Sequence, residues 1–198
     1  MSGHTAVVAG FGGQGLLFAG KVLAQAANLE GRDVSWMPAY GPEMRGGTAS
    51  CTVIVADQPI GSPIADVADS VIALNPPSMA RFEPMLAAGG LLVVNTTLVE
   101  AEPQRSDIEV AAVPCTALAR AAGHDRLASI VALGVLVARR PIVTRESAIA
   151  ALEELTGGGA AGGDAALLAA DVSACEAGWD GGRQLVRVAT TERPAVRP

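Results

Sequence analysis

Short apolar runs rich in β-branched residues alternate with longer stretches in which apolar positions recur every three or four residues, and this alternation organises most of the chain. Residues 5–9 (Thr5, Ala6, Val7, Val8, Ala9) read as a strand that ends in a glycine cluster, Gly10-Phe11-Gly12-Gly13-Gln14-Gly15. Leu16, Leu17, Ala19, Leu23, Ala24 and Ala27 then keep helical spacing to about residue 28, and Gly31 follows as a stop. Further strands are expected at 33–37, 48–55, 71–74, 91–95 and 108–113. Helices are expected at 77–88, closed by Gly89-Gly90, and at 116–122, 127–139, 145–155 and 164–176.

Strands alternating with helices predict an α/β fold of three layers: a mostly parallel sheet with helices on both faces and a Rossmann-like opening βαβ unit. At 198 residues the chain suits one domain, drawn as residues 1–180 with a polar, Pro-containing tail at 181–198. A glycine-rich stretch at 157–163 reads as a flexible connection. Half the residues are hydrophobic but only 3% are aromatic, so the core must be built from Ala, Val, Leu and Ile.

Charge removes one class of function. The net charge is −6, the basic residues are scattered and Lys21 is the only lysine, so no footprint for a phosphate backbone is present and nucleic acid is not expected as a partner. No signal-peptide pattern opens the sequence and its longest apolar stretch, 129–138, is too short to span a bilayer, so a cytoplasmic protein without a membrane partner is expected. Cys51, Cys115 and Cys175 are widely spaced and read as reduced thiols, with no zinc or iron–sulfur ligand set among them.

Gly10-x-Gly12-x-x-Gly15 fits the fingerprint in which glycines let backbone amides at a helix N-terminus approach a pyrophosphate. That fingerprint also needs an acid at the far end of the second strand; Asp33 has the spacing but stands at the strand's start, which favours a tightly packed strand-to-helix turn. Residues 15–22 imitate a P-loop, except that Val22 replaces the metal-binding hydroxyl and the segment is helical in pattern. The second decorated segment is Tyr40-Gly41-Pro42-Glu43-Met44-Arg45-Gly46-Gly47, a loop after a strand and so at the edge of the sheet where α/β proteins bind ligands. Arg45 offers a planar fork for a carboxylate or phosphate, with Glu43 as its anchor; an internal or subunit-facing Glu43–Arg45 ion pair is the other reading. His4 and His124 stand far apart, Cys51 reads as a small buried hydrophobe, and Ser50 lacks a nucleophile-elbow context, so no catalytic residue is assigned.

Together, the glycine turn at 9–15 and the loop at 40–47 resemble the gamma subunit, or gamma domain, of the 2-oxoacid:ferredoxin oxidoreductases, and the resemblance continues through residues 53–57, 60–63 and 127–134. It implies a component of a heteromeric complex that oxidatively decarboxylates a 2-oxoacid, of the 2-oxoglutarate or branched-chain type, with coenzyme A and ferredoxin. In such complexes alpha and beta chains hold thiamine diphosphate and Mg²⁺ and other polypeptides or domains hold iron–sulfur clusters, so this chain alone is expected to bind no cofactor and to be inactive. Gly12, Gly13, Gln14 and Gly15, with Tyr40, Gly41, Glu43, Arg45, Gly46 and Gly47, are then expected either to contact an anionic part of coenzyme A or to form a subunit interface. The alternatives are a free-standing Rossmann-type nucleotide-binding oxidoreductase and a stand-alone ligand-binding regulator.

Overall fold

The computed structural model describes residues 3–40, 48–157, 164–184 and 187–188. Seven strands form one sheet: β1 (Gly3–Phe11), β2 (Asp33–Tyr40), β3 (Thr48–Ala56), β4 (Ala68–Ala73), β5 (Leu86–Asn95), β6 (Glu109–Val113) and β7 (Arg187–Val188), in the order β2-β3-β1-β4-β5-β6-β7. β1, β4, β5 and β6 are parallel neighbours, β3 runs antiparallel to both β1 and β2, and β7 runs antiparallel to β6. Most strands therefore point one way, as the alternating pattern predicts.

The opening β1–helix–β2 unit is a parallel crossover, but β3 is inserted between its two strands. Proline explains the order. Pro38 has no N–H for a ladder and is tolerated on an edge strand, whereas β3 alternates Cys51, Val53 and Val55 inward and suits an interior position.

The two faces are covered unequally. On one face lie α1 (Leu16–Leu29), α3 (Cys115–Ala121), α4 (Ala128–Arg139), α5 (Arg145–Leu152) and α6 (Ala165–Gln184), around Ala6, Val8, Val53, Ile72, Leu91 and Val93. There α4 and α6 approach backbone to backbone at Gly134 and Gly178, which an Ala-rich pair of helices permits. The opposite face carries the short α2 (Pro76–Phe82), whose Met79 and Phe82 join Val7, Ala9, Val71, Leu92 and Val94.

Several boundaries differ from expectation. Asn75 starts α2 by accepting a hydrogen bond from Ser78 N (2.9 Å), but the helix stops at Phe82 and not at 88. Pro84 cannot donate to the carbonyl one turn back, a 3-10 turn takes over at Glu83–Met85, and the apolar run from Leu86 enters β5. Similarly α5 gives way to a π turn at Glu153–Gly157, while α6 continues past 176 to Gln184, so the boundary drawn at 180 falls inside a helix. Among the described residues no helix is long and apolar enough to cross a membrane.

Candidate functional site

The carboxyl ends of β1, β4, β5 and β6 share one edge of the sheet, and the glycine turn stands on it. β1 ends at Phe11 opposite Thr48, and β2 ends at Tyr40 opposite Ala49, so the two strand ends that bracket residues 41–47 are fixed beside the turn. The pairing brings the two decorated segments of the sequence together at their ends. Gly41, Glu43, Arg45, Gly46 and Gly47 lie outside the described residues, and Tyr40 is described only as the last backbone position of β2.

The turn is built by its glycines and by Gln14. Gln14 N donates to Phe11 O (3.2 Å), and Phe11 N donates to Gln14 Oε1 (2.7 Å), which closes the loop on itself. Gly13 and Gly15 have φ of 97° and 76°, the left-handed region where a Cβ is costly. Gly15 is the N-cap of α1, and α4 begins close by: a Cβ on Gly15 would come within 2.7 Å of Arg126 O and 2.8 Å of Ser129 Oγ. The amides of Gly12, Gly13 and Gly15 donate to no acceptor among the described residues, and Gly12 and Gly13 are exposed. Such a turn at the start of a helix presents N–H groups and the positive end of the helix dipole to an anion.

Behind the turn, the corners after the other strands are held by amides that the sequence reading passed over. Asn95, wholly buried at the end of β5, donates through Nδ2 to Leu74 O (3.3 Å) and Thr116 Oγ1 (2.9 Å), and accepts from Thr116 N (3.1 Å). One side chain thus ties the ends of β4 and β5 to the first turn of α3. Asn75, followed by two prolines, was readable as a helix start; Asn95 carries no comparable local signal, because its partners are 21 residues away on either side.

The remaining candidates are structural. Cys51 is buried under α1, with Sγ 3.5 Å from Leu16 O, and burial pushes its thiol up to about 12. Residues 15–22 lie within the turn and α1, and Lys21 rests over the Trp36 ring, 5.6 Å from its centroid. His124 Nδ1 accepts from Arg126 N (3.1 Å) and caps a 3-10 turn, while His4 shares a 3.0 Å hydrogen bond with Ser70 Oγ. Among the described residues no group of three or more His, Cys, Asp or Glu is arranged to hold a metal.

Asp33 bears on the dinucleotide reading. It pairs with Ala56 at the amino edge, and the rest of β2 separates it from the turn by roughly 24 Å. A ribose held at the glycine turn is out of its reach.

The model of the pyruvate ferredoxin/flavodoxin oxidoreductase family matches residues 5–179. The chain belongs to this family. Among curated relatives in the family, the ketoisovalerate oxidoreductase subunit VorA of Methanothermobacter thermautotrophicus is 46% identical over 131 residues, 66% of this chain and 27% of that protein. The 2-oxoglutarate synthase subunit KorC of Methanocaldococcus jannaschii is 32% identical over 143 residues, 71% of this chain and 76% of that one. The chain therefore spans about a quarter of the VorA protein but most of KorC. Among solved structures, the gamma subunit of the keto/oxoacid ferredoxin oxidoreductase of Geobacter sulfurreducens superposes with a TM-score of 0.83 at 27% identity, covering 94% of this chain and all of that one.

Proposed function

We propose that this chain is the gamma-type component of a 2-oxoacid:ferredoxin oxidoreductase of the cytoplasm, inactive alone and working with alpha and beta chains that hold thiamine diphosphate and Mg²⁺. The observation that carries the reading is the family match over residues 5–179, reinforced by the match to KorC along most of its length. A branched-chain 2-oxoacid is the favoured substrate class, since identity to the ketoisovalerate relative exceeds that to the 2-oxoglutarate relative, 46% against 32%.

Within that complex we assign the glycine turn to the phosphates of coenzyme A. The residues fit such a group: the amides of Gly12, Gly13 and Gly15, which donate to no acceptor among the described residues, and the N-terminus of α1 offer donors and positive potential, and the glycines carry no side chain of their own. Coenzyme A, when bound, supplies the thiol that accepts the acyl group. This chain's share is to hold the anionic end, with Gln14 keeping the turn closed, Arg45 as a further candidate and Glu43 as the anchor of that arginine.

The test is reconstitution. Coexpressed with the alpha and beta chains and the iron–sulfur component of the complex, the protein should give coenzyme A-dependent reduction of ferredoxin, fastest with 2-ketoisovalerate, and the isolated chain should give none. Omission of this chain without loss of activity, or its failure to associate with those chains, defeats the subunit reading. Equal affinity of the complex for coenzyme A and for pantetheine, which lacks the nucleotide phosphates, defeats the assignment of the turn.

A further inference from the structure

Among the described residues, half of one sheet face carries no helix. On the face that carries α2, the apolar layer includes Val7 and Ala9 of β1 but, among the described residues, nothing from β2 or β3. The register shows what lies beyond it: Thr5, Ile54 and Ser35 form one row across β1, β3 and β2, Val7, Thr52 and Met37 the next, and Ala9, Ser50 and Ala39 the third. Residues directly opposite in a sheet share a face, so Ser35, Met37, Ala39, Ser50, Thr52 and Ile54 all stand on this side. Each is partly or fully exposed, and Met37 is 40% exposed.

Not one of the six is charged. An antiparallel face left in water normally alternates to charged and long polar residues, and an edge region is protected by Lys or Glu against other proteins. Here Asp33 stands alone at the amino-end corner. Small and apolar side chains without charge are instead the composition of an interface core.

We propose that this half-face is where the chain docks on the larger, thiamine-binding part of its complex, which supplies the missing helical layer over β2 and β3; this rests on the subunit reading given above. Two arguments favour that occupant over a second copy. Two strands about 4.8 Å apart and seven residues of about 3.4 Å give a footprint of roughly 230 Å². Two copies face to face would bury roughly 460 Å², short of the roughly 1,200 Å² of a stable specific interface, so the patch suits the centre of a contact with a larger partner that extends past its rim. Continuity points the same way: in the VorA relative the matching segment is 27% of the polypeptide, so there the domain is attached to a partner more than twice its size. Pro38 on the free edge of β2 removes a donor that an added strand would use, which directs docking to the face.

The experiment is co-purification of the full chain with its alpha and beta chains, comparing the wild type with Thr52→Arg, Met37→Glu and, on the exposed surface of α6, Leu167→Glu. Thr52→Arg and Met37→Glu should each weaken association about tenfold or more, with the unfolding temperature of the isolated chain unchanged, while Leu167→Glu binds as the wild type does. Wild-type affinity in both face variants overturns the proposal with the subunit reading intact. A wild-type chain that captures neither partner overturns the subunit reading itself. A homodimer of the isolated chain that Thr52→Arg dissociates gives the face to a second copy, and a large loss of stability in both variants gives it to the chain's own residues; either result overturns the proposal.

Discussion

Gly15 and Ser129 stand so close that a methyl group on the glycine would approach the serine hydroxyl to 2.8 Å, and the first turn of α4 is thereby locked against the first residues of α1. Two constraints meet at this glycine, a left-handed φ of 76° and a wall formed by Ser129 and the Arg126 carbonyl. Gly13 meets only the first, with φ 97° and open space around it.

Gly13→Ala should therefore cost about 1–2 kcal/mol, the penalty of a left-handed Cβ. Gly15→Ala should cost about 3–5 kcal/mol, since overpacking adds to that penalty. Urea unfolding of the two variants checks the difference, and equal losses would mean that the contact with Ser129 relaxes freely.

The hydrogen-bonded tie at Asn95 leads to a second expectation. Asn95→Ala leaves the Thr116 amide and the Leu74 carbonyl unpaired in a buried corner and should destabilise the protein by about 3 kcal/mol. Because the side chain joins three elements, the loss should appear in hydrogen exchange as faster opening of Thr116 N together with the end of β5, while the β2–β3 pair keeps its protection.

These two sites differ in how far the sequence announced them. The glycine turn is local: residues 10–15 carry the spacing, the conformational demand and the position after a strand within six positions. The first six strands, the long helices and the placing of Asp33 at the wrong end of β2 are local as well and were readable from periodicity, whereas β7 lies in the segment read as a polar tail. Strand order was not, because whether β3 or β2 lies beside β1 depends on pairing between segments some forty residues apart, and only Pro38 hinted at the edge. Leu86, Ala87 and Ala88 suit a helix or a strand equally, and the turn at Pro84 tips them to the strand. Asn95 and Ser129 were invisible because their partners come from other elements.

Thiol chemistry should be silent in the native protein. Cys51, Cys115 and Cys175 are all free and buried, and burial drives each thiol up to about 12. At pH 8 the thiolate fraction is then about one part in ten thousand, so an aromatic disulfide reagent should find no reactive group before denaturant is added and three afterwards. Rapid labelling of the folded chain would show that one of these sites opens.

His4 should give stability a pH dependence near neutrality. Its ring is buried at the start of β1 against Ser70, and burial lowers its pKa below the usual value, outweighing the opposing pull of Asp69. The sign follows from which state binds the proton: in the unfolded chain the ring protonates near pH 6.5, whereas in the fold it stays neutral to lower pH. Between those two values the unfolded state holds more protons, so stability is full above about pH 6.5 and declines as pH falls towards the depressed folded value. His4→Gln cannot take up a proton and should flatten the plot of unfolding free energy against pH between about 7 and 5, leaving the steeper acid loss at carboxylate pH in place. Urea titrations across that range measure both slopes, and an unchanged slope in the variant would assign the effect to another group.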